Sequence, residues 1–189
     1  MKELIKNNLN GKKVLILFIL TNIIYIVMLT VTIPKVMSFA GGMKLLDMMP
    51  TGYTHQYVNT LLIALGYMGR QAYLYIQIPV DMLYPLFFGV SYCLVLAYLL
   101  NKINKLNGNS FYLCFLPLFA GLFDYFENIG IIIMLKSFPD NSIFLSHITN
   151  VFSVLKSSFT AIYFVILIVA LIPIGTRIII KKITNAEID

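Results

Sequence analysis

Residues 14 to 33 read VLILFILTNIIYIVMLTVTI, a run without a single charge, preceded by Lys12-Lys13 and closed by Pro34-Lys35. About 20 residues at helical rise cross the hydrocarbon core of a bilayer. A backbone in that medium must satisfy its own hydrogen bonds, so the run is expected to be a membrane-spanning helix. A cleaved signal peptide competes with this reading, because Ser38-Phe39-Ala40 resembles a small-residue cleavage site. The run exceeds the usual apolar core of such peptides, about 7–15 residues.

Three similar runs follow. Asp81 to Leu100 stops at Asn101-Lys102. Phe111 to Leu135 follows the turn-forming Asn107-Gly108-Asn109-Ser110, and Pro117 is expected to kink it. Val154 to Ile174 ends at Pro173-Gly175. The chain is 59% hydrophobic and 12% charged over 189 residues, too apolar for a water-soluble domain of this size. The expected fold is therefore all-α: one integral membrane domain, a transmembrane four-helix bundle with spans near 14–33, 81–100, 111–135 and 154–174.

The long first connection has helical character. Val58, Leu61, Leu62 and Leu65 keep a helical period, and Thr54 is placed to cap it. Gly66 and Gly69 interrupt the pattern, Arg70 to Ile78 resumes it, and Pro79 predicts a bend into the second span. Residues 54–78 are expected to form an amphipathic segment on the membrane surface or across the end of the bundle.

Lys and Arg set the expected orientation. With four spans, nine lie on the side of the termini and five on the other. Both termini are expected in the cytoplasm, and the long first connection outside. The abundance of Ile, Asn and Lys suggests an AT-rich bacterial genome and so a bacterial cytoplasmic membrane. No clustered basic face marks a nucleic-acid partner. Membrane lipids are the expected surroundings, and the sequence is silent on oligomeric state.

Polar residues inside the apolar runs carry the functional information. Asp124 sits about 13 residues into the third span, roughly 20 Å at helical rise. A charge at that depth costs about 2.5–3.5 kcal/mol on insertion scales. Asp124, Glu127 and Asn128 are spaced to share a helix face that should point into the bundle. Matching polar stripes occur as Asn22, Tyr25 and Thr32 in the first span, Asp81, Tyr84, Phe88 and Ser91 in the second, and Ser153, Lys156, Ser157 and Thr160 in the fourth.

The acids admit three roles. One of them can pair with Lys156, or with Arg70, and hold the bundle in register. They can form a ligand or ion site, or pass a proton between them. Asp81 can be a lip acid of the same cavity or an N-terminal acid favoured by the helix dipole. Arg70 can pair with Asp81, bind lipid headgroups or stay solvated. Tyr53, Tyr57, Tyr67, Tyr73 and Tyr75 suit an interfacial belt. Cys93 and Cys114 read as apolar packing residues. His55 and His147 make no metal-ligand pattern, and no metal or cofactor is expected. Nucleotide-binding, nucleophile-elbow and zinc-protease motifs are missing from the sequence.

Gly52-Tyr53-Thr54, Leu65-Gly66, Gly69-Arg70 with Tyr73, Asp81, Tyr84-Pro85 and Asp124-Tyr125-x-Glu127-Asn128 resemble a group of small bacterial membrane proteins with no assigned activity, over residues 45–130. That resemblance implies a shared architecture. The layout is also similar to EXPERA-type membrane proteins, which implies a pocket for an apolar or cationic amphiphile with Asp81, Asp124 or Glu127 as counter-charges. The residue patterns around those acids depart from that family, which leaves the counter-charge roles open. The expected function is binding of a lipid, small amphiphile or partner in an outward-facing polar cavity. The alternatives are an intramembrane enzyme acting on a lipid or isoprenoid through an Asp/Glu pair, and a small transporter or accessory subunit with acidic ion or proton sites.

Overall fold

The computed structural model describes the backbone of residues 2–186 and the side chains of residues 3–176. Every regular element among them is helical. A short helix, α1 (Lys2–Asn7), precedes four long ones: α2 (Gly11–Ala40), α3 (His55–Lys102), α4 (Gly108–Ser137) and α5 (Ile143–Ala186). All four are long and apolar enough to cross a membrane, which marks a multi-pass membrane protein.

The ends follow local chemistry. Asn10 caps α2, its side chain accepting from the backbone N–H groups of Lys12 and Lys13. Thr54 caps α3 as expected, accepting from Tyr57 N–H at 3.1 Å. The connection between α4 and α5 is short and makes them antiparallel neighbours. α3 packs on α2 and on α4, and α4 packs on α5. α2 and α5 do not form a packed interface with each other.

Several boundaries differ from the sequence expectation. α2 runs through Pro34 to Ala40. The segment 54–78 is helical, but it is continuous with the second span beyond a break at Gly66, whose φ of +59° only glycine adopts easily. Asp81 therefore lies well inside a long helix, and the dipole explanation for it lapses. Pro117 sits in the first turn of the α-helical part of α4, after a 3-10 stretch over Gly108–Phe115, and so starts that helix where a mid-span kink was expected. α5 begins eleven residues before Val154 and its backbone continues past Pro173.

Pro34 of α2 and Pro79 of α3 are absorbed by a shared device. A proline lacks the N–H that the carbonyl four residues back would use, and its ring pushes that carbonyl aside. A wide π-helical turn, Met28–Thr32, lies just before Pro34, and another, Tyr73–Gln77, just before Pro79. The two face each other, and Thr32 is hydrogen-bonded to Gln77. Pro85 frees the carbonyl of Asp81, and the Asn128 side-chain amide donates to it at 3.3 Å.

Glycines let the helices approach. A Cβ on Gly121 would stand 2.7 Å from the Pro85 carbonyl oxygen, and one on Gly130 would overlap the Thr149 side chain. The core has two parts. One joins the end of α2, the first connection and the start of α3 to the end of α4. The other joins the start of α2 to the end of α3, the start of α4 and α5.

Candidate functional site

The first connection folds into the bundle. Leu45 and Leu46 are fully buried and anchor it. Asn150 of α5 accepts from Tyr53 N–H at 2.7 Å, Tyr57 donates its hydroxyl to the Lys44 carbonyl at 2.8 Å, and Ser153 donates to the Met49 carbonyl at 3.5 Å. Gly52, at φ +90°, has no room for a Cβ against Asn150. These ties place Asp47, Met48 and Pro50 over a cavity of about 440 Å³ between the helices.

Each span sends part of its polar stripe to that cavity. Tyr25 comes from α2, Asp81 and Tyr84 from α3, Asp124 from α4, and Lys156, Ser157 and Thr160 from α5. Met28, Leu29, Ile33, Phe88, Ala120 and Ala161 supply the apolar wall. Tyr84 stacks between Tyr25, with ring centroids 5.4 Å apart, and Phe88, at 5.6 Å. The cavity thus combines an apolar body with a few convergent polar groups, as small-ligand sites do. It is lined by both α2 and α5, two spans that do not pack closely on each other.

The charged groups divide into three sets. Lys156 Nζ stands 3.2 Å from Asp124 Oδ1 and also pairs with Glu127. Glu127 is wholly buried and Asp124 nearly so. Two acids sharing one lysine keep the local charge low in a medium where an unpaired ion is costly. Asp47 instead accepts from the Tyr73 hydroxyl at 2.7 Å and from Gln77 Nε2 at 3.2 Å. Gln77 then bonds Thr32, so Asp47 secures the two π-helical turns. Asp81 belongs to neither set. It is 3% exposed, lines the cavity, and its Oδ2 has no hydrogen-bond partner within the protein.

Asn128 is buried behind Asp81, its amide on the Asp81 carbonyl and its own Oδ1 unpartnered. The Tyr53 hydroxyl is also buried without a partner; burial pushes its ionisation far above the ordinary phenol range, with Glu127 adding to the effect, so it remains a neutral donor.

Two expected residues lie elsewhere. Asn22 takes the Tyr92 hydroxyl at 3.2 Å and gives its amide to the Phe18 carbonyl, outside the cavity. Arg70 does not pair with Asp81. Its Nη1 donates to the Leu62 carbonyl at 2.8 Å, and its guanidinium lies 4.1 Å from the centre of the Phe138 ring. His55 bonds Ser146 and Asn59. Among the described residues no three His, Cys, Asp or Glu come close enough to hold a metal ion.

Sequence reasoning missed Asp47. Its signal was the Leu45-Leu46 pair beside it, too short to show a period but apolar enough to bury the connection. No family model matches this chain, and neither does any curated protein or solved structure.

Proposed function

We propose that this protein binds a membrane-derived amphiphile, a lipid or a small molecule with one polar head, in the cavity roofed by the first connection. The observation that carries this reading is Asp81, a buried acid on the cavity wall with an oxygen that no protein group satisfies. Burying a carboxylate without a partner is unfavourable, and a head group that donates hydrogen bonds or carries positive charge offsets that cost. Asp124 and Glu127 are engaged by Lys156, which favours a register-fixing role for them over a free acid/base pair. The apolar wall suits an acyl or isoprenoid chain. Because α2 and α5 line the cavity without packing closely on each other, entry between them from the bilayer is the path this reading favours for such a chain.

The placement of Lys and Arg supports an orientation with both termini in the cytoplasm of a bacterial cell and the roofed end of the cavity facing out. The test is mass spectrometry of the amphiphile retained by protein purified in mild detergent. Ser157→Phe places a ring in the cavity and should expel the molecule. An empty wild-type cavity, or equal retention by the variant, would end the proposal.

A further inference from the structure

A second polar recess lies between the first part of α3 and the end of α4, and its chemistry is opposite to that of the cavity. Arg70 and Gln71 of α3 and Lys136, near the end of α4, meet there, with Tyr67, Tyr75 and Phe138 around them. The recess is about 280 Å³. It holds two cationic side chains and no acid, and among the described residues neither Arg70 nor Lys136 forms an ion pair.

The position is that of a headgroup layer. Lys136 is one residue from the end of α4. From Arg70 to the end of α3 at Lys102 the helix is about 50 Å long at 1.5 Å per residue, which exceeds a hydrocarbon core of about 30 Å. Tyr67 and Tyr75 are both 68% exposed, as expected of rings at the boundary between lipid and water.

Arg70 is also held in place. Its bond to the Leu62 carbonyl reaches back across the break at Gly66, and its flat face rests on Phe138. One N–H of five is used by that bond. The remaining guanidinium edge and the Lys136 ammonium are the groups that bind phosphate oxygens, one as a planar fork and the other as a point charge.

We infer that the Arg70–Lys136 recess binds a phosphate-bearing anion at the membrane surface, independently of the cavity. Two sources supply that chemistry, an anionic phospholipid headgroup and a free phosphate. The experiment uses the full chain in detergent. Native mass spectrometry measures retention of added phosphatidylglycerol against phosphatidylcholine, and phosphorus NMR measures binding of inorganic phosphate. Lys136 is exposed and makes no structural bond, so Lys136→Gln is the informative variant. Arg70→Lys keeps the charge but loses the fork.

Selective retention of phosphatidylglycerol, reduced about five-fold by Lys136→Gln, is expected for a headgroup site, since one basic residue near a charged surface contributes about 1 kcal/mol. Binding of inorganic phosphate with the same dependence on Lys136 assigns the site to a free anion. Equal retention of both lipids with no phosphate binding overturns the inference. So does binding of either that Lys136→Gln leaves unchanged.

Discussion

The two halves of the bundle bury polar groups in different ways. In the half built on α1, the start of α2 and the end of α3, the buried polar atoms are mostly hydroxyls that return to nearby carbonyls. Thr21 donates to Leu17 at 2.8 Å and to Phe87 at 3.2 Å, and Tyr163 donates to Tyr92 at 2.8 Å. Tyr92 packs edge-on against Tyr163 and Phe164. In the other half lie Asp47, Asp81, Asp124, Glu127 and Lys156, drawn from the first connection, α3, α4 and α5. Hydroxyls such as those of Thr21 and Tyr163 are inexpensive to bury because each has a carbonyl as partner, although the Ser91 hydroxyl is buried without one. Ions are not inexpensive, and among the described residues the buried ones lie in only one half, so that half carries the larger electrostatic cost.

The largest expected effect comes from breaking the shared lysine. Lys156→Met strands two buried acids and should destabilise the fold by about 3–5 kcal/mol. Thermal unfolding in detergent measures it, and adding Asp124→Asn with Glu127→Gln should restore most of the loss. A Lys156→Met protein as stable as wild type would show that the acids are not held by that lysine.

Helix approach comes next. Gly121→Val puts a branched side chain against the Pro85 carbonyl and should cost about 1–3 kcal/mol. Unchanged stability would mean that α3 and α4 are farther apart than described. Asn128→Ala leaves the Asp81 carbonyl, already freed by Pro85, without its donor, for a loss of about 1–3 kcal/mol by the same assay. The hydroxyl half should respond least: Tyr163→Phe removes one neutral hydrogen bond, about 1 kcal/mol. A loss there as large as that of Lys156→Met would erase the distinction between the halves.

The contrast also explains what the sequence disclosed. Four uncharged runs identify spans because lipid permits little else, and Asp124, Glu127 and Lys156 were visible as charges within or beside them. Helix lengths were less legible. Pro34 reads as a stop, Pro79 as a bend and Gly66 as an interruption, yet the wide turns at Met28–Thr32 and Tyr73–Gln77 carry the helices through the prolines, and Gly66 breaks the regular geometry of α3 without ending it. The repeated Thr32-Ile33-Pro34 and Gln77-Ile78-Pro79 held a clue, since both prolines follow a polar residue that the turn directs inward. Asp47 was hidden because a buried connection has no period to reveal it. The sequence allows Arg70 to pair with Asp81, but one recess holds Arg70 and the cavity holds Asp81.

The central claim is that Asp81 serves a ligand while Asp124, Glu127 and Lys156 serve the fold. Measuring bound amphiphile and unfolding temperature together in Asp81→Asn tests it most directly. The account predicts that this variant loses the amphiphile and, with ligand stripped from both proteins, unfolds no more readily than wild type, because it removes a buried charge that has no partner in the protein. An Asp81→Asn protein that keeps its amphiphile, or that unfolds as readily as Lys156→Met, would contradict it.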